Sequence, residues 1–478
     1  MTTTHDTETV STQEGYELRE VDPRTIRDNP DNARKPKANR EALAGSIRSL
    51  GVLQPPLVRE ESDGTLVLVA GERRKYSAIA AGLATIPVHV RHGMSAVHQV
   101  AGMLVENHDR EDLTPVEFAA GIQQLAGMEG VTTKAITEMT GVKAAEVRKA
   151  VKVASSEVAS AVAERHGLTL DQAVVLAEFE DDKGAVILLT RTALKVPEQW
   201  PHVVRRLRQE RDDAKAVAVL TAELEAAGTK VVELRNDYWL PQGAVWLDEL
   251  TPPEGRKQVS EAQHRGCPGH AAAVVEADDG YEVAYLCLDA EANGHTSQFH
   301  VLGSTGSGTA KSESGGMTDE QKAERRTVIA NNKAWPLSTE VRREFVGTLL
   351  ARKTAPKGML RYVTAAILSD PALPNLGDDS ALAGLVGQES DGPYWSHRVG
   401  RALVAQASDA RLPIVLFAQV ASAIEASNKD KGAWRRPGES LARYLGYLVE
   451  CGYGLSDVEQ LVVTKATAQA AEDEDDTE

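Results

Sequence analysis

Cysteine is nearly absent, with three residues in 478. An odd, sparse set cannot build a disulfide framework, and a reducing, cytoplasmic compartment is expected. Aromatic residues make up only 4% of the chain, which argues against base stacking on single strands and for a core of Leu, Val, Ala and Ile. No apolar run reaches the roughly 18 residues that span a bilayer. The polar start of the chain also lacks the basic-then-apolar pattern of a secretory leader, so no membrane partner is expected. Positive charge is in deficit as well: Lys and Arg total 53 against 70 for Asp and Glu, a net charge of -17. Any DNA-binding surface must therefore be local.

At about 100–200 residues per domain the length predicts two to four domains. Residues 1–15 read as a disordered arm, and structure is expected from Tyr16. Leu43, Ile47 and Leu50 mark one face of a helix over about 40–50 that stops at Gly51. Leu57–Val58, Thr65–Val69 and Val88–Val90 read as short strands, giving a small α+β domain over 16–113. From 114 to 228, apolar spacing of three and four residues predicts an all-α domain. Strand patterns return over 230–234 and 274–288, where Asp278-Asp279-Gly280 is a hairpin turn, so 229–302 is expected to form a small β-rich module. Residues 303–318 have linker composition, and the segment beyond them should move independently. A helical domain over 319–467 and a solvated acidic tail over 468–478 complete the chain. The expected fold class is α+β.

The segment VAGERRKYSA (69–78) ends a strand at a glycine and opens a helix with Glu72, Arg73 and Arg74. That geometry suits an anion: Gly71 permits close backbone approach, the helix N-terminus presents N–H groups, and guanidinium groups pair with phosphate. A solvated helix face is the commoner use of such an Arg pair. In ENHDRED (106–112), Glu106, Asn107 and Arg110 recur on one helix face. Carboxylate and amide oxygens there can hold Mg2+ and the arginine can neutralise phosphate.

GVLQPPLV (51–58), VAGERRKYSA (69–78) and LVENHDREDLTPVEFA (104–119), in that order and spacing, resemble the core motifs of the ParB/RepB/Spo0J family, over about residues 18–185. The resemblance implies a ParB/sulfiredoxin-like N-terminal fold and a CTP pocket. In it Gly71, Glu72, Arg73 and Arg74 contact phosphate, Glu106 and Asn107 face Mg2+, Arg110 faces the triphosphate, and Gln54 and Pro55 line the wall. Two features depart from the family. Many members carry glutamine in an NPxQPR segment linked to CTP hydrolysis, where this chain reads NPDNAR. Asn32 is then the candidate catalytic residue, and a weak CTPase activity stays open. The N-terminal arm also lacks the Lys/Arg-rich peptide that members use on a ParA-type ATPase, leaving Arg19 and Arg24 as the nearest cations for that partner.

TTKAITEMTGVKAAEVRKAVKV (132–153) places Ile136 and Met139 on a short helix, a turn at Gly141, and a second helix with Val147 and Val151 facing inward. This is helix-turn-helix logic, although an ordinary helical hairpin has the same pattern. The second helix would offer Lys143, Ala144, Ala145, Arg148, Lys149 and Lys152 to double-stranded DNA, with Thr133 and Lys134 from the first. Arg205, Arg206, Arg208 and Arg211 form a further basic cluster that either touches phosphates or faces solvent.

Cys267, His270, Cys287 and His295 supply the ligand inventory of a structural Zn2+ site, with His264 and His300 as alternatives. Unrelated surface histidines and buried cysteines remain the other reading. Residues 319–467 carry no catalytic constellation, and dimerisation would suit them by position. The leading reading is a homodimeric partition protein that binds a parS-like site, uses CTP to close as a sliding clamp, and works in the cytoplasm on nucleoid or plasmid. A transcriptional regulator without CTP switching, or a nuclease or phosphotransferase on the same fold, are the alternatives.

Overall fold

The computed structural model describes residues 16–28, 41–61, 63–91, 96–109, 113–234, 240–251, 259–277, 280–297, 319–370, 373, 379–388 and 398–475. Asn32, Arg110 and His300, the arm 1–15 and the linker 303–318 lie outside them. The chain forms two compact units, Met1–Lys195 and Val196–Glu478.

In the first unit a mixed sheet is built from β1 (Tyr16–Val21), β2 (Leu57–Glu60), β3 (Leu66–Ala70) and β4 (Ile86–Arg91), in the order β1-β4-β2-β3. β2 runs parallel to β4, and the other pairs are antiparallel. β4 shows the alternation that specifies a half-buried strand, with Ile86, Val88 and Val90 inward. Leu66 to Val69 in β3 are all buried, as expected of a strand covered on both faces. Helices α1 (Glu41–Leu50) and α2 (Glu72–Ala81) pack together, and Ile47 and Ala78 join Val58, Leu68 and Val88 in the core. β1 carries no strand signal of its own in the sequence; it forms because β4 offers it an edge, Tyr16 opposite Arg91 through Val21 opposite Ile86.

The rest of this unit is helical: α3 (Ala96–Asp109), α4 (Pro115–Ala126), α5 (Thr133–Thr140), α6 (Ala144–Ala154), α7 (Glu157–His166), α8 (Leu170–Glu178) and α9 (Lys183–Lys195). Local sequence sets the starts. Thr114 caps α4 in a reciprocal box with Glu117 and Pro115 comes next, Thr169 and Gln172 do the same for α8, and Thr132 and Ser156 cap α5 and α7.

The second unit begins with α10 (Trp200–Ala226), which packs against a sheet of β5 (Lys230–Val231), β6 (Val245–Trp246), β8 (His270–Ala277) and β9 (Gly280–Cys287) in the order β5-β8-β9-β6. β7 (Leu250–Thr251) pairs with β10 (Thr296–Ser297), and α11 (Glu261–His264) precedes β8. Residues 278–279 lie outside the described residues, but Ala277 faces Gly280 across the hairpin they would close. The helical remainder comprises α12 (Asp319–Leu350), α13 (Met359–Ser369), α14 (Asp379–Val386), α15 (Arg398–Gln406), α16 (Leu412–Ser427), α17 (Glu439–Glu450) and α18 (Asp457–Asp475).

Three expectations change here. The helix α10, grouped by spacing with residues 114–228, belongs to the second unit: His202 meets the Gly454 carbonyl and Arg205 pairs with Glu340. The stretch after the linker is not independent of the sheet before it, because α10 packs on both that sheet and α12, and Lys333 bonds Glu276 of β8 at 2.7 Å. The segment Asp409–Ser427 is also apolar and long enough, by composition, to cross a bilayer. Its residues Ile414, Phe417, Val420, Ala421, Ala423 and Ile424 are instead buried in the helical core.

That core encloses an ionic network. Arg342 of α12 is fully buried; it donates to Glu425 of α16 at 2.6 and 2.9 Å and to Glu459 of α18 at 2.6 Å. Tyr444 and Tyr453 donate to the same carboxylates. Burial works against the guanidinium charge, but the two glutamates outweigh it and raise the Arg342 pKa well above its ordinary value. Replacing Arg342 by Met would leave two buried carboxylates uncompensated, and a loss of about 3–5 kcal/mol is expected. All six tryptophans lie after residue 195, so denaturant unfolding followed by tryptophan fluorescence reads this unit selectively.

Candidate functional site

The junction from β3 to α2 is built around Gly71. Its φ is +98°, and a Cβ at this position would sit 3.0 Å from both Cα and Cβ of Pro56. Pro56 in turn is buried, and its carbonyl accepts from the His89 N–H at 2.9 Å, which pins the GVLQPP loop to β4. The glycine therefore lets the start of α2 press against that loop. No side chain caps α2, so its N-terminal face is left to backbone N–H groups and the helix dipole. One turn in, Arg74 donates to Gln54 Oε1 at 2.8 Å. Two residues 20 positions apart, singled out for the same pocket, thus meet. Arg73 points to solvent, while Glu72 and Pro55 are half-buried.

A feature that sequence reasoning missed lies on the next residues of α2. Lys75, 5% exposed, pairs with Asp28 at 2.5 Å, and the Tyr76 hydroxyl donates to the other Asp28 oxygen. Asp28 is the residue before NPDNAR, so this pair ties the entry of that segment to α2. Burial pushes the Asp28 carboxyl up, but the hydrogen bonds from Lys75 and Tyr76, with the Lys75 charge, hold it below the ordinary carboxylate range. A lysine inside a GERRKY run is the only sequence signal.

Glu106 and Asn107 sit on the last turns of α3, but nothing is described of their side chains, and Asn32 and Arg110 lie outside the described residues. A cavity of about 480 Å3 opens beside this region, lined by Leu57, Val69, Ala70, His98, Gly102 and Met139 among others. It adjoins Gly71 through Ala70, and none of the expected pocket residues whose side chains are described lines it. Arg19 donates to Glu60 at 3.0 Å and to Glu17 at 2.9 Å, and Arg24 pairs with Asp22, so both cations already have acidic partners.

Two short helices, α5 and α6, come next with the turn Gly141-Val142-Lys143 between them. Ile136, Val142, Val147, Ala150 and Val153 are buried, so Ala150 and Val153 fill the inward positions expected of Val151, which is half-buried. Lys143, Ala145, Arg148 and Lys152 are exposed, as are Thr133 and Lys134; Ala144 is half-buried. Lys149 is different: it pairs with Asp171 of α8 at 2.5 Å on the surface. In the second unit Arg205 and Arg206 are engaged by Glu340 and Glu210.

In that unit the hairpin β8–β9 brings together His264, Cys267, Cys287 and His295, whose ligand-capable atoms all lie within 4.8 Å of one another. His264, an alternative ligand by sequence, takes the place expected of His270. The His270 ring instead stacks on Tyr285 and meets His264 through their Nδ1 atoms at 3.0 Å.

A model of the ParB N-terminal domain family matches residues 7–108. That stretch of the chain is similar to the ParB N-terminal domain family. Curated relatives agree: "Probable chromosome-partitioning protein ParB" of Treponema pallidum is 36% identical over 137 residues, 28% of this chain and 41% of that protein. "Chromosome-partitioning protein Spo0J" of Thermus thermophilus is 42% identical over 131 residues, 27% and 48% of the two chains. The match spans less than half the length of either relative. A C-terminally truncated ParB of Caulobacter crescentus, solved with the centromeric parS site, is 26% identical over 38% of this chain and 96% of that one, at a TM-score of 0.30. Gln54, Gly71 and Arg74 lie within the matched residues.

Two outcomes are expected. Gly71→Ala must either abandon the left-handed backbone or push Pro56 aside, costing about 1–3 kcal/mol, seen as faster hydrogen exchange at the β3–α2 junction. Asp28→Asn removes the counter-ion of a buried lysine. Since the Asp28 pKa is depressed on folding, its stabilisation is present above its ordinary pKa of 3.8 and is lost as pH falls through the lower folded value. The penalty of Asp28→Asn on α2 protection is therefore full at neutral pH and shrinks in acid below about pH 4.

Proposed function

We propose that the chain is a homodimeric partition protein of the ParB type, which recognises a centromere-like double-stranded DNA site and uses CTP and Mg2+ to close as a sliding clamp. The observation that carries this reading is the meeting of Arg74 and Gln54 beside the left-handed Gly71, within a domain whose curated relatives are named for chromosome partitioning. Bound CTP would supply the triphosphate charge and the energy difference between open and closed states. This chain's own residues bind and orient it. Gly71 brings the α2 N-terminus close, Arg74 is held in place by Gln54 and can bond a phosphate oxygen, and exposed Arg73 adds a second cation. Glu72 and Pro55 would complete the wall, Glu106 and Asn107 are the candidate oxygen donors for Mg2+, and Arg110 is the candidate cation for the triphosphate. A nucleotide can drive closure only by binding the closed state better, so CTP and site DNA should reinforce one another.

The α5–α6 pair is the proposed helix-turn-helix. Lys143 in the turn and Arg148 and Lys152 on α6, with Thr133 and Lys134 on α5, give a locally basic face on an acidic chain, and Ala144 and Ala145 let the α6 N-terminus approach base edges. Lys149 pairs with Asp171 of α8. Asn32 is the residue to test for weak CTP hydrolysis. A ParA-type ATPase would need a surface other than Arg19 and Arg24, given their acidic partners. The working location is the cytoplasm, on nucleoid or plasmid DNA. A zinc ion in the β8–β9 module would be structural and separate from the nucleotide switch.

The test is binding of the four ribonucleoside triphosphates with Mg2+ to wild type and Arg74→Ala, with and without DNA fragments from beside the protein's own gene. CTP selectivity, a loss of about 10–100-fold in the variant, and tighter CTP binding with one fragment are expected. Fragment binding without nucleotide selectivity would leave a plain site-specific regulator. Arg148→Ala should weaken binding to that fragment, and Lys143→Ala should lower the salt slope by about 1 if it contacts phosphate.

A further inference from the structure

Cys267 Sγ lies 3.9 Å from Cys287 Sγ and 3.4 Å from His295 Nε2. The two sulfurs are too far apart for a disulfide, which needs about 2.05 Å. The distances instead match the edges of a tetrahedron around zinc: bonds of about 2.3 Å to sulfur and about 2.0–2.1 Å to nitrogen place two sulfurs about 3.8 Å apart and a sulfur and nitrogen about 3.5 Å apart. The fourth corner is His264, 1% exposed. Its Nδ1 meets His270, and its Nε2, like that of His270, is buried without a hydrogen-bond partner, but only the His264 ring converges with Cys267, Cys287 and His295 within 4.8 Å. An orphaned imidazole nitrogen in the interior is costly unless something coordinates it.

We propose that His264, Cys267, Cys287 and His295 bind one Zn2+ in a closed structural site, and that His270 acts outside the metal shell by holding the His264 ring. Three parts of the chain build it. The short α11 and the turn after it present His264 and Cys267, where the Cys267 N–H donates to the His264 carbonyl and the His270 N–H to the Cys267 carbonyl, both at 2.9 Å. β9 ends on Cys287, and the loop after it returns His295, its N–H bonded to the Ala290 carbonyl at 2.8 Å. Gly269 is required by the same approach: a Cβ there would sit 2.6 Å from Cys287 Sγ and 2.6 Å from Asn293 Nδ2. That Asn293 amide lies 3.7 Å from Cys287 Sγ, placed to donate to a thiolate, as outer residues do around metal-bound sulfur. The local core is small, with Leu247, Leu250, Cys287 and Ala290 buried around it, so a metal cross-link supplies what apolar burial cannot. Four protein ligands leave no open position, and the role is cross-linking rather than catalysis.

The proposal is independent of the clamp reading. Metal content of the full-length protein, purified without chelator, should be about one zinc per chain, released on thiol modification. Co2+ exchanged into the site should give the visible absorption of a tetrahedral thiolate complex, whatever the fate of any variant. His264→Ala and Cys287→Ser should lose the metal. His270→Ala should keep it with an affinity about 10–100-fold lower. Zinc-free protein of native fold, a Cys267–Cys287 disulfide by mass, or metal lost in His270→Ala and kept in His264→Ala would each overturn it. Loss of zinc binding with CTP selectivity intact, or the reverse, separates this proposal from the function above.

Discussion

The junction between β3 and α2 in the first unit depends on one steric constraint, the closeness of Gly71 to Pro56. The chain leaving the edge strand β3 must turn sharply to start α2, and at this turn the backbone is left-handed and pressed on a neighbouring loop. Only a residue without a Cβ meets both demands at low cost. Once the turn is made, the first helical turn lands beside GVLQPP, Arg74 reaches Gln54, and Lys75 and Tyr76 face Asp28. The same backbone choice thus leaves the α2 N-terminus without a side-chain cap and places Lys75 and Tyr76 against Asp28.

The second unit rests on a different solution to burial. Its helical core buries an arginine and two glutamates, and desolvating three charges is favourable only because each is bonded several times over. The network joins α12, α16 and α18, with Arg342 more than 80 residues from either glutamate in sequence, and so specifies which helices meet. In the sheet module of the same unit, two histidines and two cysteines converge beside small apolar clusters. One chain therefore uses close packing, a buried ion network and a cluster of metal-type ligands in three different regions.

Much of this was legible locally. Period-two burial in β4, the Thr-Pro-x-Glu start of α4 and the glycine-broken pair α5–α6 are nearest-neighbour effects, and the structure follows them. The strand β1 was missed because an edge strand takes its conformation from its partner. The grouping of α10 was misplaced because helical periodicity reveals an apolar face but not which surface covers it. Lys149 looked like one more cation on a recognition helix; its engagement depends on Asp171, 22 residues away and visible only in three dimensions.

The sequence alone determined the motif segments, the helix starts and the glycine at the β3–α2 turn, because each depends on residues within a few positions of one another, and it supplied the inventory of metal-type ligands as residue types. The tertiary structure decided which of those residues act together: Arg74 with Gln54, Asp28 with Lys75, and His264 rather than His270 beside the two cysteines. The physical reason is that hydrogen bonds and metal coordination act over a few ångströms, and only the packed fold brings distant positions within that range.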